Sequence, residues 1–166
     1  MSRAYYIYWY KLDGKDFYLI WFEAEESDGV LVDRKGFVPS FGKISDLQKY
    51  AEKFEINVDV EKPILNDLDA VQNWLNESKT EIFDYNPFLN AWNLFADISL
   101  STSANFDKDK ESTNKIYDKI FWGCNISAVT PEGESFTPGW TKKELKTIRE
   151  VLSFGFQMFR EKVKYI

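Results

Sequence analysis

The chain has 166 residues, 44% apolar and 29% charged, with 27 acids against 21 bases and a net charge of −6. That is the size of one domain, able to bury roughly 70% of the surface its unfolded form exposes, so no metal or disulfide staple is required. The apolar fraction, with only 8 glycines and 5 prolines, excludes disordered and collagen-like architectures.

Histidine is absent, which removes the usual general base at neutral pH, the Ser-His-Asp and Cys-His arrangements and the commonest zinc ligand. The single cysteine, Cys124, excludes an internal disulfide and suits a reducing compartment. The acidic balance argues against a nucleic-acid partner and favours a basic one. The apolar run Ala4–Tyr10 is short, tyrosine-rich and lacks a small-residue cleavage site. The stretch Tyr85–Phe106 carries only Asp97, but its Asn, Ser, Thr and Pro content disqualifies it as a membrane span. The expectation is a soluble, cytoplasmic chain with no membrane partner.

Asp13-Gly14 is a strong two-residue turn signal flanked by apolar runs, so the chain opens as a β-hairpin. Closing that turn pairs Leu12 with Lys15, Lys11 with Asp16, and so on to Tyr5 with Phe22, setting opposite charges face to face at Lys11 and Asp16. One face then carries Tyr6, Tyr8, Tyr10, Phe17, Leu19 and Trp21, and the other Tyr5, Ile7, Trp9, Tyr18, Ile20 and Phe22. Two apolar faces imply a central hairpin covered on both sides, or one aromatic face kept for binding. Gly29–Asp33 reads as a third strand and Phe37–Phe41 as a short fourth, limited by Pro39.

The remainder is mostly helical. Ser45 and Gln48 form a capping box for a helix to about Phe54, and Ile56–Val60 is a further strand candidate ended by Pro63. Asn66 caps a helix to about Glu77 with Leu68, Val71, Trp74 and Leu75 on its stripe. Asn86-Pro87 opens another, reaching about Ser99. Residues 100–113 read as loop and Lys115–Trp122 as a short helix stopped by Gly123. Thr130-Pro131-Glu132-Gly133 is a turn with proline second. Thr141 and Glu144 make a capping box, with Trp140 and Leu145 at the staple positions, for the last helix. The fold class is α+β: a single domain over 1–166, mainly β in 1–42 and mainly α in 43–166. An N-terminal antiparallel sheet, the hairpin plus one to three further strands, packs with four or five helices.

Charge is unevenly placed. Between Glu55 and Asp97 nine acids face only Lys62 and Lys79, while Thr141–Lys164 holds seven bases and three acids. Asp67 and Asp69 fit a helix N-terminus. The run Glu77, Glu81, Asp84 is either a solvated face or a surface for a cationic partner. Chemistry is sparse by comparison. Glu25 and Glu26 fall on opposite faces of an extended strand, and Asp67 and Asp69 are not helix neighbours. Cys124, with no histidine to activate it, reads as a structural thiol. No phosphate-binding, metalloprotease or EF-hand motif is present, so no metal, cofactor or catalytic residue is expected.

Two stretches, Leu89-Asn90-Ala91-Trp92-Asn93-Leu94-Phe95-Ala96-Asp97 and Tyr117-Asp118-Lys119-Ile120-Phe121-Trp122-Gly123-Cys124-Asn125, precede Thr130-Pro131-Glu132-Gly133 and Pro138-x-Trp140. Together this set resembles immunity proteins of bacterial contact-dependent growth inhibition and related polymorphic toxin systems. The resemblance covers about residues 45–160, with the hairpin a looser match. Cys124 stands where the family pattern often has asparagine, which makes the thiol dispensable. The resemblance implies a non-catalytic, stoichiometric inhibitor that occludes the C-terminal domain of one cognate toxin, often a nuclease. Such nucleases tend to be basic, which suits an acidic inhibitor. The expected toxin-binding residues are Asp59, Glu61, Glu77, Glu81 and Asp84, with Tyr85 as an aromatic anchor. The competing expectation is a small carboxylate-based hydrolase or ligand-binding domain, marked by a closed pocket lined by two or more acids.

Overall fold

Asp13 and Gly14 both adopt positive φ, 55° and 73°, the primed turn geometry whose twist matches the strands it joins. In a computed structural model, described over residues 2–77, 80–106 and 110–166, this turn joins β1 (Ala4–Leu12) to β2 (Lys15–Glu23). The register is the expected one throughout, from Leu12↔Lys15 to Ala4↔Glu23. β3 (Gly29–Val30) and β4 (Val38–Phe41) pair antiparallel with β2. Both are shorter than the sequence suggests.

The sheet is not confined to the first 42 residues. β5 (Val58–Asp59) and β6 (Leu65–Asp67) run parallel to β1 on its other edge, and β7 (Val163–Tyr165) runs parallel to β4. The strand order is β5-β1-β2-β4-β7, with β6 also on β1 and β3 also on β2. The helices are α1 (Ile44–Lys53), α2 (Leu68–Asn76), α3 (Asn86–Thr102), α4 (Lys110–Gly123) and α5 (Lys142–Lys162).

Both hairpin faces are covered, unequally. Tyr8, Tyr10, Phe17, Leu19 and Trp21 join the main core with α2 to α5, where Tyr10 sits edge-on to Phe159 at 5.3 Å. The Tyr10 hydroxyl meets Ser40 Oγ at 2.6 Å, so neither buried oxygen lacks a partner. The other face packs Ile7, Ile20 and Phe41 against Leu47 and Ala51 of α1. One ten-residue helix is narrow cover, and Trp9 and Tyr18 stay half-buried, stacked at 6.4 Å.

A side-chain lock ties the hairpin turn to two helices. Asp69 of α2 accepts from the backbone N–H of Asp13 at 2.7 Å and of Gly14 at 2.9 Å. Arg160 of α5 donates to both Asp13 oxygens, at 3.0 and 3.2 Å, and to Gln72 at 2.7 Å. The Arg160 hydrogen bonds, then that of Gln72, hold the Asp13 carboxyl below the usual range.

Helix starts depart from expectation by a residue or two. Ser45 lies inside the first turn of α1, behind Lys43, and makes no capping bond. Asn66 belongs to β6, where its amide donates to the carbonyls of Trp9 and Ile64. The cap of α2 is Asp67 instead, accepting from Ala70 N–H at 3.1 Å. Asn86 is already helical, and Asp84 accepts from its backbone and side-chain nitrogens. The expected loop 100–113 is helical at both ends, while 107–109 lie outside the described residues. The proline turn shifts to Pro131–Glu134 because Gly133, at φ 78°, takes the third position, where positive φ is required.

The Thr141–Glu144 capping box forms with both its bonds, and Lys119 of α4 bridges to Glu144 at 3.0 Å. α5 approaches α3 where Gly155 faces the Phe95 ring, and a Cβ built at Gly155 would overlap that ring. Gly155→Ala gains roughly 1 kcal/mol of helix propensity, yet overpacking of about 1–3 kcal/mol outweighs it. Urea denaturation should show the net loss, and adding Phe95→Leu should restore part of it; independent effects would rule out the collision.

Candidate functional site

The expected binding residues fall into two groups on different elements. Asp59 and Glu61 lie at the β5 edge of the sheet, both exposed. Asp59 accepts from Glu61 N–H at 2.9 Å, turning the chain out of β5. Beside them the Tyr6 hydroxyl donates to Glu23 at 3.4 Å. Partial burial, then the carboxylates of Glu23, Asp59 and Glu61, push the Tyr6 phenol up. Exposed Val60 and Ile64 interleave with these acids.

Glu77, Glu81 and Asp84 belong to the connection from α2 to α3, all exposed. Lys79, within this stretch, lies outside the described residues. The connection is fastened from both sides. Trp74 Nε1 donates to the Glu81 carbonyl at 3.1 Å, and Arg149 lies 4.1 Å over the Trp74 ring. The Arg149 guanidinium also donates to the carbonyls of Trp74, Leu75 and Glu77. Asp84 is committed to Asn86 at the start of α3.

Tyr85 does not serve as an exposed anchor. Only 6% of it is exposed, its ring lies 6.2 Å from that of Trp140, and its hydroxyl accepts from Trp140 Nε1 at 2.8 Å. The aromatic residue displayed between the acids is Phe83, 86% exposed, while its neighbour Ile82 is buried. Nothing in Glu81-Ile82-Phe83-Asp84 reveals which of the apolar pair points outward. The bonds from Asn86 to Asp84 and the Tyr85–Trp140 bond decide it.

Of the residues that carry the resemblance, Trp92, Phe95, Tyr117, Ile120 and Pro138 pack inward, while Trp122 and residues 131–133 are exposed. Trp92 meets Tyr117 and Phe106 edge-on, and the Tyr117 hydroxyl donates to Asn93 at 2.7 Å. A Cβ at Gly123 would lie 2.9 Å from both Tyr85 and Pro138. Asn125, at φ 48°, brackets Phe136 with one bond to its carbonyl and one from its N–H. Lys119 sits 4.3 Å over the Trp140 ring. Burial, then Asp84, push the Cys124 thiol up, and Sγ lies 3.4 Å from the Ile120 carbonyl. A thiol so placed is a poor nucleophile at neutral pH.

Asp97 is the carboxylate to weigh for chemistry. It accepts from Trp21 Nε1 at 3.0 Å, tying α3 to the sheet. Burial is the main cause that pushes it up, with the Trp21 bond opposing and Asp28 adding. Among the described residues no three acid, cysteine or histidine side chains are grouped to hold a metal ion. No described helix is long and apolar enough to cross a membrane.

No protein-family profile and no curated protein matches the chain. Among solved structures it is similar to the SatS C-terminal domain, crystallised in complex with bromine, at a TM-score of 0.56 and 11% identity. The match spans 98% of this chain and 94% of that one. The likeness is one of fold. It extends the α+β architecture over nearly the whole length of both chains and carries no functional residue across.

The burial of Asp97 gives a pH signature. Its folded value lies above the unfolded one, so the ionised form weakens the fold above that value and the penalty fades as pH falls through it. Asp97→Asn keeps an acceptor for Trp21 and removes the charge. Urea titrations between about pH 7 and about pH 4.5 should show the variant's advantage shrinking toward acid. A difference constant with pH would contradict this.

Proposed function

We propose that this chain is an immunity-type inhibitor that binds one cationic toxin domain and occludes it without turnover. The observation that carries the reading is Phe83, 86% exposed and flanked by Glu81 and Asp84 on a connection fastened to Trp74 and Arg149. A large aromatic ring displayed among acids is suited to an interface, where it enters a pocket while the acids meet a basic rim. The local balance of nine acids to two bases between Glu55 and Asp97 favours rapid, steered encounter with a basic surface. The resemblance of the Trp92 and Phe121-Trp122-Gly123 stretches to immunity proteins supports the same reading; Trp92 and Phe121 belong to the core here, while Trp122 is exposed. A reducing cytoplasm, where such an inhibitor meets its toxin, suits a chain with one cysteine.

The test is co-expression with the C-terminal region of the protein encoded immediately upstream, scored for toxicity, its relief and co-elution. A 1:1 complex that relieves toxicity is the expected outcome. A harmless neighbour that does not co-elute would sink the reading. Within that complex Phe83→Ala should raise Kd about 30-fold, chiefly through faster dissociation, as an anchor worth roughly 2 kcal/mol requires. Glu77→Lys with Glu81→Lys should slow association and flatten its dependence on salt. Asp84 is left unchanged because it accepts from Asn86 in the first turn of α3. Stopped-flow association that ignores these charges would place the interface elsewhere.

A further inference from the structure

A second surface has the opposite electrostatic character. A groove of about 720 Å³ lies beside α1, floored by Leu31, Val32, Tyr50, Phe54 and Ile56. Four cations, Arg34, Lys35, Lys53 and Lys164, stand around it. They come from the β3–β4 connection, the last turn of α1 and β7. Lys164 pairs with Pro39, which places it on the sheet face that carries α1. Among the described residues none of the four is held in an ion pair.

The one carboxylate in the lining, Asp33, offsets one of these four charges and is engaged through Oδ1. It accepts from the backbone N–H of Lys35 at 2.8 Å and of Phe37 at 3.0 Å, which builds the turn that displays Arg34 and Lys35. The groove is therefore an apolar floor within a rim of four cations and one carboxylate, net positive on a chain whose net charge is −6. Three of the four cations remain unmatched, and like charges gathered at one spot repel one another unless further anions come between them.

We infer that this groove binds an acidic peptide segment of a partner protein through one large apolar side chain. That side chain rests on Leu31, Tyr50 and Ile56, and flanking carboxylates meet Arg34, Lys53 and Lys164. Three observations select this ligand chemistry. Phe54 is 47% exposed, so the trough is open along one side and suits a continuing chain better than an enclosed small molecule. The two rings in the floor, Tyr50 and Phe54, pack on one another at 4.7 Å and are tilted by 46°, so they do not present the row of parallel planes on which successive nucleic-acid bases stack. A long polyanion leaving the groove would also meet the acidic remainder of the surface, which a short segment avoids. None of these lining residues belongs to the Glu77–Asp84 surface, so either proposal can fail without the other.

The probe is a fluorescein-labelled, capped peptide of Asp and Glu with one central Phe, titrated with the full chain and read by anisotropy at low ionic strength. The expected result is saturable binding that weakens about tenfold when the central Phe becomes Ser, the scale of one apolar anchor. Arg34→Glu with Lys53→Glu, and separately Lys164→Glu, should each weaken binding at least about tenfold, with unchanged circular dichroism and melting temperature. Equal binding of the Phe-free peptide would reduce the groove to a nonspecific charge patch and overturn the inference. Tighter binding of a labelled oligo-dT or of phosphatidylglycerol vesicles would overturn it in favour of another polyanion. So would a concentration-dependent dimer in sedimentation that the Arg34/Lys53 variant abolishes while the peptide fails to bind, since the occupant would then be a second copy of this chain.

Discussion

The Asp69 carboxylate, accepting both amides of the Asp13-Gly14 turn, is the constraint on which the rest of the molecule is set out. Turn amides at positive φ point away from the hairpin and would otherwise be left to water. Engaging them fixes α2 at the tip of the hairpin, and the Arg160 fork to Asp13 fixes α5 at the same point. With both helices placed, the face of Tyr8, Tyr10 and Leu19 has only one way to be covered. Phe95, Phe156 and Phe159 then close over it. The ion pair in the lock, Arg160–Asp13, is exposed and modest in energy. Its value is geometric, because it converts a turn type into the placement of two helices.

The hairpin was legible residue by residue because a two-residue turn leaves no freedom in the pairing that follows it. The capping box at Thr141 was legible for a similar reason: two side chains and two amides at fixed spacing can satisfy only one another. β6 and β7 were not, since three residues are too few to show a period and their pairing with β1 and β4 is decided by distant parts of the chain. The caps of α1, α2 and α3 slipped for a local reason. Several polar residues compete at each start, and the winner depends on what the neighbouring strand demands, as Asn66 shows by bonding to Trp9 rather than capping α2.

At the candidate site, the acids were readable and the anchor was not. Composition puts Glu77, Glu81 and Asp84 in one stretch, and all three reach the surface. Tyr85 and Phe83 are equally aromatic in sequence, and their opposite fates follow from Trp140, fifty-five residues away from Tyr85, donating to the Tyr85 hydroxyl. The cationic groove was hidden for the same kind of reason. Its four charges come from three separate stretches of the chain, while charge counted along the sequence averages them into an acidic whole.

The parallel pairing of β7 with β4 has a consequence for synthesis. Arg160 lies 147 residues along the chain from Asp13, and β7 is likewise distant in sequence from β4, so the edge of β4 and the second anchor of the hairpin tip are supplied only with α5 and β7, after every other helix has been made. The aromatic hairpin is made before all the helices that cover it. Contacts joining the two ends of a chain are slow to form and leave apolar strands exposed meanwhile. A nascent chain of this fold thus leaves the hairpin uncovered until α5 and β7 have been made, and the hairpin is where a folding helper would hold it.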